Sequence, residues 1–204
     1  SIEDTVITSV ATDAHRLAMA TLGLNEGVAE QITGIVPRKS INEIGKLVGD
    51  SSENIILQLG SSSINVDISG TTFSSKLIEG KFPDYEQVIP SGDSSTLSIN
   101  RKSLSESLSR VSVLSSEKFR GIKIAISDNL INISANNPEK EQAEESISCS
   151  YDGESMDIAF NVNYLQEILS SIDDNDVEIH FFGSDKSCLI TSPGTDSLSL
   201  IHIS

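Results

Sequence analysis

The sequence has no tryptophan, and aromatic residues make up only 4% of its 204 positions. Any core must therefore be aliphatic, built from Ile, Leu and Val. Cysteine is nearly absent too: Cys149 and Cys188 form neither a C-x-x-C pair nor a metal-ligand spacing. That excludes a disulfide framework and fits a reducing compartment, so the expected setting is the cytoplasm. Basic residues are scarce, 14 against 30 acidic ones, for a formal net charge of −16. A protein coated with phosphate contacts is excluded on that balance. No apolar run approaches bilayer length and no basic-then-apolar signal opens the chain, so no membrane partner is expected. Catalytic signatures are missing as well: there is no G-x-S-x-G, P-loop, H-E-x-x-H or dinucleotide fingerprint. His15, His180 and His202 lie far apart in sequence. The expectation is a non-enzyme with no catalytic residue, no metal and no cofactor.

What is present is repetition. Val36-Pro37-Arg38-Lys39-Ser40-Ile41 returns as Ile99-Asn100-Arg101-Lys102-Ser103-Leu104, then as Phe160-Asn161-Val162-Asn163-Tyr164-Leu165, at spacings of 63 and 61 residues. Each copy ends a strand and opens a short amphipathic helix, so the chain reads as copies of one supersecondary unit. The predicted helices cover 38–48, 101–114 and 162–172. Their apolar stripes are Ile41, Ile44 and Leu47-Val48; Leu104, Leu108 and Val111; and Leu165, Ile168-Leu169 and Ile172. Strict alternation marks strands at Ile64–Ile68 and at Ile122, Ile124 and Ile126, the latter turned by Asp128-Asn129 into Leu130–Ile133. Val177–Phe182 and Cys188–Ile190 form another predicted hairpin. The fold class is α+β, with antiparallel sheets backing short helices.

Charge follows this division. The three helices carry six Lys/Arg and three Glu, a net of +3, which leaves −19 for the remainder of a −16 chain. That suits a nucleic acid passing along one restricted surface; it equally suits helices that are simply richer in Lys and Arg. The Pro/Gly/Ser-rich run Ile89-Pro90-Ser91-Gly92-Asp93-Ser94-Ser95 is the expected junction, giving domains at 1–90 and 91–204.

The most chemically dense stretch is Ala11-Thr12-Asp13-Ala14-His15-Arg16-Leu17-Ala18. Read as a period-2 strand, it sets Thr12, Ala14 and Arg16 on one face and Asp13, His15 and Leu17 on the other. Arg16 offers a fork of donors and His15 a switchable donor or acceptor, a pairing suited to carbonyls or a carboxylate. On pattern alone it reads equally as a strand end with an internal Asp–Arg or Asp–His pair.

Lys81-Phe82-Pro83-Asp84-Tyr85, Glu117-Lys118-Phe119-Arg120-Gly121 and Ala135-Asn136-Asn137-Pro138-Glu139 follow in order. Together with the Ala-Thr-Asp-x-His-Arg-Leu-Ala run they resemble the bacterial sliding clamp family, the beta subunits of DNA polymerase III. The resemblance covers nearly the whole chain. It suggests most of the family's second domain and almost all of its third, with the first absent.

The resemblance implies a DNA-clamp fold, repeated units with sheets outside and helices inside. It implies a processivity factor: a homodimeric ring that encircles duplex DNA non-specifically and tethers its partners through a peptide pocket. Those partners are the DNA polymerase III alpha subunit, the clamp loader and other proteins with clamp-binding motifs. Carried over by position, Thr12, His15, Arg16 and Leu17 form one pocket wall and Pro83 and Val88 another. Gln87 stands where some members have Arg. Phe82-Pro83-Asp84-Tyr85 alone would read as an ordinary linker turn. The DNA-facing candidates are Arg38, Lys39, Lys46, Arg101, Lys102 and Arg110. Val113 and Leu114, with the acids Glu141, Glu144 and Glu145, match one half of a head-to-tail subunit contact; the acids also read as a solvated strand edge. The chain ends at Leu200-Ile201-His202-Ile203-Ser204 instead of a Met-Pro-Met-x-Leu-like tail. The expectation is an incomplete or altered product that stays monomeric, since head-to-tail closure needs both unlike surfaces. A β-rich repeat interaction module with no DNA role is the alternative.

Overall fold

A computed structural model describes residues 1–49, 54–115, 120–193 and 198–201. The Glu117-Lys118-Phe119 part of the third motif and the last three residues, His202 to Ser204, lie outside the described residues. In chain order the elements are β1 (Ile2–Glu3), β2 (Val6–Thr12), β3 (Arg16–Gly23), α1 (Arg38–Val48), β4 (Ile55–Leu59), β5 (Ser63–Ile68), β6 (Thr71–Lys76), a 3-10 turn (Tyr85–Val88) and β7 (Ser95–Asn100). There follow α2 (Arg101–Ser112), β8 (Gly121–Ser127), β9 (Leu130–Asn136), β10 (Gln142–Ser148), β11 (Ser150–Tyr151), β12 (Met156–Asn161), α3 (Val162–Ser170), β13 (Asp176–Phe181), β14 (Cys188–Thr191) and β15 (Leu198–Ile201).

Two units make up the chain. The first holds Ser1–Ser9 with Thr21–Asp84 and the second Val10–Ala20 with Tyr85–Ser204. The sequence junction at 90/91 thus differs from the structural one at 84/85, and the tip of the β2–β3 hairpin belongs with the second unit. Strand pairing supplies the reason: Arg16 to Met19 of β3 ladder antiparallel with Ile201 to Leu198 of β15.

In the first unit β4, β5 and β6 form an antiparallel sheet with β5 in the middle. The alternation in Ser63–Ile68 buries Ile64, Val66 and Ile68, and Val36, Ile44, Val48, Leu59 and Leu77 pack on them. The predicted stripe of α1 is only half used: Ile44 and Val48, one turn apart, meet this cluster, whereas Ile41 and Leu47 are exposed. A three-stranded sheet offers too narrow a surface to cover the whole stripe. Pro37 caps α1 without a side-chain bond, and Gly49, at φ 50°, closes it with its N–H on the Gly45 carbonyl.

The second unit contains two sheets. One runs β3-β15-β14-β13-β7-β11 and the other β10-β9-β8-β12. Helix α2 packs against β7, β9 and β10, and α3 packs against β12. Leu97, Leu108, Ile133, Val162, Val177 and Cys188 are fully buried in one aliphatic cluster. Here the predicted stripes hold within the helices: Leu104, Leu108 and Val111 of α2 and Leu165, Ile168 and Leu169 of α3 are all buried, whereas Ile172 lies past the end of α3 and is half-buried. The repeat has a physical basis at the helix starts. The Asn100 side chain accepts from the Ser103 N–H, and Asn161, at the corresponding place, accepts from the Asn163 N–H. Each satisfies a donor that the first helical turn would leave free. Asp128 and Asn129 both take positive φ, 50° and 62°, in the tight β8–β9 turn.

Candidate functional site

The Thr12–Arg16 segment is a turn, not a strand. β2 ends at Thr12 and β3 begins at Arg16, so the two-face reading of this stretch does not hold. Local side-chain bonding is the cause. The Asp13 Oδ1 accepts the backbone N–H groups of His15 and Arg16, each at 3.1 Å. Thr12 Oγ1 donates to the Arg16 carbonyl at 2.8 Å and accepts from the Ala14 N–H at 3.2 Å. Short polar side chains thus replace the ladder with an Asx-type turn. Ala14 pays with a left-handed φ of 73°.

This turn holds Arg16 against α3. Its Nε donates to Asp13 Oδ2 at 3.0 Å, and its Nη2 reaches Glu167 Oε2 at 2.7 Å. The guanidinium carbon stands 4.6 Å from the centre of the Tyr164 ring, and the His15 ring stacks on that ring at 6.2 Å. Leu17, next in the strand, points the other way and is buried. Burial raises the Asp13 carboxyl, but Arg16 and the two backbone N–H groups outweigh that and hold it below its usual value. Thr12, His15 and Arg16 therefore converge, and Tyr164 and Glu167 join them without having been singled out in the sequence. Their spacing of three on α3 was the available signal, since it places both on one helical face beside the buried stripe. Gln87 and Val88 sit exposed on the 3-10 turn of the same unit, and Pro83 belongs to the first unit.

The basic candidates divide by partner. Arg38 and Lys39 are exposed in the first turn of α1. Lys46 pairs with Glu43 at 2.9 Å, and Lys102 lies 3.9 Å from Glu106. Arg101 does different work. Its Nε donates to the Asp174 carbonyl at 2.8 Å and its Nη1 to the Leu169 carbonyl at 3.1 Å, tying the start of α2 to the end of α3. Arg110 donates through Nε to both oxygens of Glu145 at 3.1 Å.

That last pair also revises the acidic face. Glu144 and Glu145 are neighbours in β10, so the pleat sends them to opposite sides. Glu145 turns toward α2 and Arg110, whereas Glu144 accepts from Asn132 and Glu141 from Asn137. The three acids do not form one patch. Val113 is 78% exposed just past α2, while Leu114 is half-buried. Among the described residues, no group of three or more His, Cys, Asp or Glu could hold a metal ion, and no helix is long and apolar enough to cross a membrane.

Comparison with known proteins places these two units in order. Residues 1–84 match the family model for the DNA polymerase III beta subunit central domain, and residues 86–204 the one for its C-terminal domain. The beta sliding clamp of Vibrio cholerae is 38% identical over 196 residues, covering 96% of this chain and 53% of that protein. The Escherichia coli K12 beta sliding clamp is 34% identical over 193 residues, 95% of this chain and 52% of that protein. A crystal structure of a DnaN sliding clamp (DNA polymerase III subunit beta) from Pseudomonas aeruginosa, bound to griselimycin, superposes with a TM-score of 0.95. It is 38% identical and covers 100% of this chain and 55% of that one. The chain thus spans about half the length of the curated relatives it matches. With both domain models matched in sequence order and the fold reproduced throughout, the chain belongs to the DNA polymerase III beta subunit family, the sliding clamps.

Proposed function

We propose that this chain supplies the DNA-facing and partner-tethering parts of a polymerase processivity clamp. Such a clamp is a non-catalytic cytoplasmic ring of two subunits that surrounds duplex DNA and slides without reading bases. The observation that carries the reading is the match of both domain models, in order, over nearly the full chain.

The helix starts support it. None of the three helices has an acidic residue in its first turn, although acids are favoured there by the helix dipole. Arg38 and Lys39 in α1 and Lys102 in α2 occupy the first turns of two of them and are exposed, whereas α3 opens with neutral residues. Cations at that end cost local helix stability and attract phosphate. Attraction of this kind is non-specific and salt-dependent, which suits sliding. Lys46 belongs to the same DNA-facing set, whereas Arg101 and Arg110 are engaged within the second unit, by backbone carbonyls and by Glu145.

The face built from Thr12, His15 and Arg16, backed by buried Leu17, with Gln87 and Val88 of the same unit, receives a short peptide. That peptide comes from the polymerase III alpha subunit, the clamp loader or another protein carrying the same motif. Val113 and Leu114, with Glu141 and Glu144, form one half of the head-to-tail subunit contact. Titration of the chain with a fluorescent Gln-x-x-Leu-Phe peptide tests the tether. Binding is expected, and Arg16→Ala weakens it by about 1–3 kcal/mol through loss of a charge-assisted bond. A folded chain that ignores the peptide would overturn this role.

A further inference from the structure

The two carboxylate oxygens of Asp13 have different tasks. Oδ1 accepts the backbone N–H groups of His15 and Arg16, each at 3.1 Å, and so fixes the turn. Oδ2 accepts from the Arg16 Nε at 3.0 Å, and so fixes a side chain. A long arginine side chain has many rotamers to lose, and ordering one costs entropy. Here the cost is met before any ligand arrives. Asp13 takes Nε, Glu167 takes Nη2 at 2.7 Å, and the guanidinium carbon stands 4.6 Å from the centre of the Tyr164 ring. Nη1 is the nitrogen that neither carboxylate uses, and the rigid fork aims it in one direction.

We propose that Asp13 is a positioning residue of the peptide face, acting through Arg16 by holding its guanidinium in the orientation that receives the ligand. The inference rests on the reading of the face as a peptide site. A side chain ordered in advance spares the complex part of the entropy that binding otherwise costs. Glu167 does not set the orientation by itself: it is 63% exposed, sits on a separate element and meets only one end of the fork. Asparagine at position 13 separates the two tasks. Its carbonyl oxygen can take the place of Oδ1, because two backbone N–H groups need an acceptor there. Its NH2 then faces the Arg16 Nε–H, donor against donor, and the grip on the side chain is lost.

The test is a double-mutant cycle on the 204-residue chain, read with the fluorescent Gln-x-x-Leu-Phe peptide of the tether assay. Asp13→Asn is expected to weaken binding about 2–5-fold, the range of one exposed ion pair, while the His15 and Arg16 amides exchange within about two-fold of wild type. In a chain that already carries Arg16→Ala, the same change should move affinity by less than about 1.5-fold. Asp13→Ser gives a second route, since its hydroxyl can accept the turn's N–H groups without reaching Nε, and should weaken binding to the same degree. Unchanged or tighter binding by Asp13→Asn would show Asp13 to be a bystander or a competitor for Arg16, and would overturn the proposal. An equal loss with and without Arg16, or a loss accompanied by fast exchange of both amides, would show that Asp13 serves the turn alone, with the peptide reading left standing. If the wild-type chain, shown to be folded by circular dichroism, ignores the peptide, that reading falls and the positioning role falls with it.

Discussion

Arg110 of α2 and Glu145 of β10 form a forked ion pair, the Nε donating to both carboxylate oxygens at 3.1 Å while Nη2 also reaches Ser107 Oγ. The pair clips a helix to the edge strand of the sheet beneath it. Arg110 holds the Glu145 carboxyl below its ordinary value, against the opposing effect of burial. A depressed carboxylate contributes stability that is fully present above its unfolded value and is lost as pH falls through the folded one. A double-mutant cycle of Arg110→Ala and Glu145→Ala, read by urea unfolding, should therefore show favourable coupling at pH 7. That coupling should fade progressively below the ordinary value of 4.5. A coupling that is constant from pH 7 to pH 3 would mean that packing, not charge, joins the two elements.

Burial separates residues that look alike in sequence. Leu108 is fully buried between α2 and the sheets, whereas Val113 is 78% exposed a few residues later. Leu108→Ala should cost about 2–5 kcal/mol, from lost transfer energy and the cavity left behind. Val113→Ala should stay within about 0.5 kcal/mol in the isolated chain. Thermal or urea unfolding of the two variants decides it. An equal loss would show Val113 packed.

Arg101 and Lys39 make a parallel contrast among the basic candidates. Arg101→Ala strips two backbone carbonyls, those of Leu169 and Asp174, of their donor. It is expected to destabilise the second unit by about 1–3 kcal/mol. Lys39→Ala touches nothing buried and should leave unfolding unchanged while weakening salt-sensitive duplex binding. Retention of duplex on a filter, together with urea midpoints, measures both. A stable Arg101→Ala chain with poor DNA retention would return Arg101 to the DNA-facing set.

These contrasts show what a sequence carries. The Asp128-Asn129 turn and the stripes of α2 and α3 were legible because each depends on neighbours within one turn of chain. The opposite facing of Glu144 and Glu145 was equally legible from the period of two, yet the family resemblance set both in one subunit contact. Arg110 and Glu145 were assigned to different surfaces because nothing local says that residues 35 apart will meet. The partnership of Arg16 with Tyr164 and Glu167 lies further out of reach. It depends on β15 seating β3 in the second unit, which no periodicity in either stretch reports.

The hairpin tip has two independent supports, and they can be told apart. One is internal: the Asp13 and Thr12 side chains bond the turn's own backbone. The other is α3, whose Glu167 pairs with Arg16 at 2.7 Å and whose Tyr164 ring lies under the Arg16 guanidinium at 4.6 Å and beside His15 at 6.2 Å. A cation over an aromatic face at an exposed site is worth about 0.5–1 kcal/mol. Removing it should raise amide exchange by only a few-fold, without releasing β3 from its ladder. Tyr164→Phe keeps the ring and should leave the exchange of the Ala14, His15 and Arg16 amides as in the wild type. Tyr164→Ala should speed these three amides by about two- to five-fold, while Leu17, buried in the strand, stays protected. Asp13→Ala attacks the other support and should expose the same amides much further, because it removes the acceptor of two of them. If Tyr164→Ala changes nothing, the turn's own bonds and the Glu167 pair hold Arg16, and the aromatic ring adds nothing to the tip.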